Sequence, residues 1–160
     1  MKRISHGDYA DFDFLLFGIS SNVDDLKMCW LLNRLFSIDF NREPDVEIQH
    51  TKLGLVSNFC NFQFEKKSME KEITSFVNDG VASKDFDESS VIFQLIGNRH
   101  PSGNLIPEHP RIDYFLLLSG DGIEELASNE VVILLRGLEE IQAAFTIDVD
   151  SLKSKNNLIF

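Results

Sequence analysis

The residues best suited to chemistry fall in one segment, "RHPSGNLIPEHPRIDY" at 99–114, which holds two imidazoles (His100, His109), two carboxylates (Glu108, Asp113), two guanidiniums (Arg99, Arg111) and a phenol (Tyr114). Imidazole with carboxylate is the equipment of acid–base catalysis and of divalent-metal ligation. A small hydrolase or metal-dependent enzyme built on His100, Glu108, His109 and Asp113 in loop 99–114 is therefore one reading. The spacing favours another. Pro107 and Pro110 push the residues before them, Ile106 and His109, toward extended backbone, so no helix face can align the two acids, and the four histidines of the chain show no metal-ligand spacing. A stiff loop that displays Glu108, His109, Arg111, Asp113 and Tyr114 as a binding surface, with little reorganisation on meeting a partner, is the reading preferred here. It assigns no catalytic residue, metal ligand or cofactor. Asp113, opening an apolar strand, needs a partner; the amides of the preceding turn, Arg111, Arg99 and Tyr114 are the candidates, and its expected role is to pin the loop to the sheet edge.

Other chemistry is thinner. "SGDGIEE" at 119–125 places two glycines before a helix, but Asp121, Glu124 and Glu125 would repel an anion there. Ser119 lacks the flanking glycine pattern of a nucleophile elbow. Cys29 and Cys60 sit among core-type residues with no neighbouring histidine and read as small buried hydrophobes.

The elements that must position the loop follow from periodicity. "FDFLLFGI" at 12–19 reads as a buried strand; a helix follows, capped by Ser21 or Asn22, with Leu26, Cys29, Leu32 and Phe36 inward and Met28, Leu31 and Leu35 beside them. "DVEIQH" and "SNFCNFQFE" alternate and form a hairpin about Gly54; in the second, Cys60, Phe62 and Phe64 oppose Phe59, Asn61, Gln63 and Glu65. "SVIFQLIGNR" is a strand before the proline loop, and a strand from Arg111 puts Asp113, Phe115 and Leu117 opposite Ile112, Tyr114, Leu116 and Leu118. A helix over "IEELASNEVVILLR" presents Leu126, Ile133 and Leu134 inward and ends at Gly137, "IQAAFTIDV" is the last strand, and the apolar end of "SLKSKNNLIF" either docks or frays. "DFLLFG…SIDF" and "DYFLLLSG…TIDV" echo one another as two β-α-β-like halves around a meander. The expected fold is α+β: a two-layer sandwich of about five or six antiparallel strands with two main helices, of which the ferredoxin-like plait is one form.

At 160 residues, 43% hydrophobic and 26% charged, residues 1–160 read as a single globular domain able to bury roughly two thirds of its unfolded surface, with 66–89 as a surface insertion or loop holding a short helix near 69–77. The net charge of −11, with Lys66, Lys67 and Lys71 interleaved by Glu65, Glu70 and Glu72, disfavours nucleic acid and anionic membranes as partners. Two cysteines and an N-terminal stretch lacking an apolar run point to a cytoplasmic setting. The expected partner is a protein or small molecule, with a homodimer as a further possibility for a sheet of this kind.

The string Ile106, Pro107, Glu108, His109, Pro110, Arg111, Ile112, Asp113, Tyr114 resembles the defining motif of the IPExxVDY family of small bacterial proteins, matching at Ile106, Pro107, Glu108, Asp113 and Tyr114. It departs in having three residues between Glu108 and Ile112, and isoleucine where the motif has valine. "FDFLLFGISS" and the tail "LKSKNNLIF" are similar to the same family, so the resemblance spans nearly the whole chain. It implies no particular activity. The functional expectation is thus a non-enzymatic interaction or ligand-sensing domain.

Overall fold

The computed structural model describes residues 13–50, 54–67, 90–125 and 127–158. The insertion and short helix expected within 66–89 lie, beyond Lys67, outside the described residues, as does Leu126. Among the described residues six strands form one antiparallel sheet: β1 (Leu15–Ser21), β2 (Asn41–His50), β3 (Leu55–Lys67), β4 (Ser90–Gly97), β5 (Tyr114–Ser119) and β6 (Ile141–Ile147), in the order β2-β3-β4-β5-β1-β6. Helix α1 (Asp25–Phe36) joins β1 to β2, and α2 (Ser128–Arg136) joins β5 to β6. Because every adjacent pair is antiparallel, β1 and β2 run the same way, and so do β5 and β6. The two halves of the sequence echo are therefore split β-α-β units. Their connectivity is that of a ferredoxin-like plait with two extra strands in the meander. No helix among the described residues is long and apolar enough to cross a membrane.

The period-2 patterns divide the sheet residues between two cores. On one face Phe17, Ile19, Phe62, Leu95, Tyr114, Leu116 and Leu118 pack beneath both helices, which contribute Met28, Cys29, Leu32, Val131, Val132 and Leu135. On the other face Leu16, Phe59, Ile96, Phe115, Leu117 and Ile147 are covered by the segment between β4 and β5, through Leu105, Ile106 and Ile112, and by the C-terminal residues Val149, Leu152 and Leu158. The tail thus docks, in 3-10 turns at Val149–Ser151 and Lys155–Leu158. Gly18, which interrupts the apolar run of β1, makes room for this cover: a Cβ there would stand 2.5 Å from Ile112 Cδ1 and 3.0 Å from Ile147 Cδ1.

Several local expectations are corrected. Helix α1 is capped by Asp24, whose carboxylate accepts the Lys27 amide, while the Ser21 hydroxyl is turned to the Glu140 carbonyl. Leu26 is 69% exposed instead of inward, the buried residues of the helix being Met28, Cys29, Leu31 and Leu32. The second helix divides into a 3-10 turn at Asp121–Glu125 and α2, and α2 buries Val131, Val132 and Leu135 while Ile133 and Leu134 face outward. In the run Val-Val-Ile-Leu-Leu several stripes are equally apolar, so periodicity alone cannot select the inner one. Strand β5 begins at Tyr114, and Ile112, still in the loop, joins the opposite core from the one its alternation implied. Strand β5 is also interior, between β4 and β1, so the proline loop spreads over a sheet face and one sheet end, not along an edge.

Candidate functional site

The loop between β4 and β5 is held from within by Asn98. This side chain is fully buried. Its Nδ2 donates to the carbonyls of His109 and Ile112 at 2.9 Å each, and its Oδ1 accepts the Ile106 amide at 2.8 Å. Its backbone donates to Asp113 and accepts from Leu105, both at 2.9 Å. One asparagine therefore satisfies backbone groups at both ends of a proline-broken segment whose own turns bond only some of them.

From that hub the loop is fastened outward by the very acids the sequence singled out. Glu108 accepts the amide of Ser154 at 2.7 Å and its hydroxyl at 2.9 Å, which ties the loop to the C-terminal tail. Burial alone would raise this carboxyl, but the Ser154 amide and hydroxyl, with backbone amides at Glu108 and Lys153, outweigh it and hold Glu108 below its ordinary value. Asp113 accepts the amide of Ser21 at 2.8 Å with one oxygen and pairs with Arg99 through the other. Of the candidate partners for Asp113, Arg99 is the one observed; the amide comes from β1 and not from the preceding turn. The Tyr114 hydroxyl donates to the Val23 carbonyl at 2.7 Å, fixing the approach to α1, and burial pushes its phenol well above the ordinary range. His109 lies against Phe145 with ring centroids 6.4 Å apart, and His100 lies edge-on to Phe59 while its Nδ1 accepts the Ser102 amide at 3.0 Å.

The candidate residues therefore separate. Glu108 and His109 face the tail and β6, whereas Arg111, Asp113 and Tyr114 line a cavity of about 760 Å³ at the end of the sheet. This cavity lies where β1 and β4 finish, β5 starts and α1 begins. Ser20 and Ser21 with the following Asn22 and Val23 form its β1 side, Asp25 its helix side, Arg99, Arg111, Asp113 and Tyr114 its loop side, and Cys60, Gly97 and Gln142 complete the lining. His100, Glu108, His109 and Asp113 do not share it: only Asp113 is among the lining residues. Among the described residues no group of three or more His, Cys, Asp or Glu side chains is placed to hold a metal ion.

The cavity thiol is not activated. Burial pushes Cys60 up to about 11, with Asp25 adding to the effect, and burial pushes Cys29 up to about 12, so both stay protonated near neutrality.

Sequence reasoning did not single out Asn98, Ser154, Ser20 or Gln142. Asn98 carried a usable signal, since asparagine directly after a strand and ahead of a turn commonly bonds the backbone of that turn. Ser154 carried none, because its partner lies 46 residues away. Comparison with known proteins gives no matching family model, curated sequence or solved structure.

Proposed function

We propose that this chain is a non-enzymatic binding domain whose ligand occupies the sheet-end cavity, with the proline loop as its rigid wall. The observation that carries the reading is the division of labour in that loop. The carboxylates and phenol that catalysis would require are committed as acceptors and donors to backbone, while a cavity of about 760 Å³, within the size range of small-molecule sites, stands beside them. A wall held by Asn98, Asp113 and Glu108 loses little freedom on binding, which lowers the cost of association. The enzyme alternative fits less well, because its four groups face different neighbours and do not converge on one reacting atom.

The resemblance to the IPExxVDY family, with a bacterial cytoplasmic setting, belongs to the same proposal; its polar positions Glu108, Asp113 and Tyr114 would then be architectural. A protein partner has an observation of its own: Trp30 is 49% exposed on α1, with Lys27 and Arg34 over its ring at 5.2 and 4.6 Å from the centroid. Exposed tryptophan flanked by cations is typical of interface anchors. The two sheet edges bear unequally on a homodimer. Strand β2 carries Pro44, a bulge between Glu43 and Val46, and the charges Arg42, Glu43, Asp45 and Glu47, whereas Ile141–Ile147 of β6 carries no charge, so a second copy would add to β6.

The reading is tested by purifying the chain natively, denaturing it and identifying released small molecules by mass spectrometry, beside a Gln142→Trp variant that fills the cavity from an exposed β6 position. A species enriched with the wild type and lost with the variant supports the cavity as the site. Equal content in both would refute it.

A further inference from the structure

The class of ligand follows from which polar atoms of the cavity are still free. Asp113 is spent on the Ser21 amide and on Arg99, the Tyr114 hydroxyl on Val23, the Ser21 hydroxyl on Glu140, and the Ser20 hydroxyl on the Arg111 carbonyl at 2.9 Å. What remains is asymmetric. On the loop side the Arg111 guanidinium has no side-chain partner among the described residues, and Arg99 uses only its Nε, leaving both terminal nitrogens. On the helix side Asp25 accepts the Leu26 amide at 2.8 Å through one oxygen, leaving the other. The loop covers one face of the sheet and α1 the other, so the cationic and anionic groups stand on opposite walls of the cavity.

The formal charges of Arg99, Arg111, Asp113 and Asp25 cancel, and the chain as a whole carries −11. A dianion would gain from the arginines but meet Asp25 and the overall field, and a dication would meet the arginines. A ligand with one carboxylate and one ammonium opposes neither wall. A planar carboxylate also matches the fork of a guanidinium, where a point cation would not.

We propose that the cavity binds a small zwitterion of the amino-acid class, its carboxylate on Arg99 and Arg111 and its ammonium on Asp25, an assignment that rests on the reading of the cavity as the ligand site.

The test is isothermal titration of the folded chain with the twenty common L-amino acids, and with succinate, inorganic phosphate and putrescine as single-sign probes. Arg111→Ala and Asp25→Asn serve as variants. Neither should disturb folding, since the Arg111 side chain is exposed and without a side-chain partner among the described residues, and an asparagine retains an oxygen for the Leu26 amide; thermal melts check this. The expected result is saturable binding of at least one amino acid, weakened about tenfold or more by each variant, as loss of a charge-assisted hydrogen bond implies. Succinate, phosphate or putrescine binding in place of amino acids, with sensitivity to Arg111→Ala or Asp25→Asn, would overturn the zwitterion while leaving the cavity reading intact. Amino-acid binding indifferent to both variants, or no binding of any probe at millimolar concentration, would overturn the assignment as well. The small-molecule content of the native protein then decides the cavity reading separately.

Discussion

At the scale of single residues, buried polar groups matter here more through the backbone they satisfy than through their own chemistry. Asn98 makes three side-chain hydrogen bonds in a site with no water access. Replacing it by alanine takes away the partner of the Ile106 amide and that of the Ile112 carbonyl, while the His109 carbonyl keeps the Ile112 amide, at a cost of about 3 kcal/mol or more. In a domain of this size that lowers the melting temperature by roughly 6–12 °C. Arg111→Ala, at an exposed side chain without a side-chain partner among the described residues, should move it by less than about 2 °C. Glu108 adds a pH dependence of definite sign. Its carboxyl is held below its ordinary value of 4.5 in the folded chain, so its contribution is fully present above that value and is lost as pH falls through it toward the lower folded value. Urea midpoints measured between pH 7 and pH 3 should therefore fall more steeply below 4.5 for the wild type than for Glu108→Gln. Parallel curves would show that the Ser154 contacts do not couple to the proton.

At the scale of elements, the legible features were those with a local cause. The alternation of β3 set Cys60, Phe62 and Phe64 opposite Phe59, and the structure has the three under the helices and Phe59 under the loop; the terminators Gly54 and Gly137 stand at the ends they were expected to mark. Features fixed by distant neighbours were not legible. The inner stripe of α2 depends on where the sheet lies beneath an all-apolar run, and the start of β5 depends on Asn98 holding Ile112 out of the ladder. The candidate site shows the same limit: the acids were visible, and for Asp113 a fastening role followed from the need of a carboxylate for a partner, but the partners Ser21 and Ser154 lie 92 and 46 residues away. Gly18 is an element-scale feature of this kind, since a strand residue is set by a loop side chain. Gly18→Val should cost about 2–3 kcal/mol by overpacking against Ile112. Combining it with Ile112→Ala should cost less than the sum of the two single changes by about 1 kcal/mol or more, because the cavity made by one is filled by the other. Strict additivity in chemical denaturation would show that the contact does not decide the glycine.

At the scale of the whole molecule, the sheet separates two cores built on different principles. The helix face is sealed by regular elements whose backbone groups are satisfied internally, whereas the opposite face is sealed by a proline-broken loop and a tail of 3-10 turns that satisfy each other. The loop and tail are joined by Glu108 to Ser154 and by the Asn157 side chain, which donates to the Leu105 carbonyl at 2.8 Å. Such a cover has fewer internal hydrogen bonds per residue than a helix, so it should open as a unit at lower free energy than the sheet. Native-state hydrogen exchange tests this. The amides of Ile106, Ile112 and Ser154 should exchange together and faster than those of Met28 to Leu32 in α1. Glu108→Gln should speed that group by about fivefold or more, the effect of losing roughly 1 kcal/mol of a charged hydrogen bond, and leave α1 unchanged. The pattern of exchange decides, not its size: if α1 accelerates in step with the loop, the two faces unfold as one body, and the wall of the cavity owes its rigidity to the entire fold and not to the Glu108 clasp.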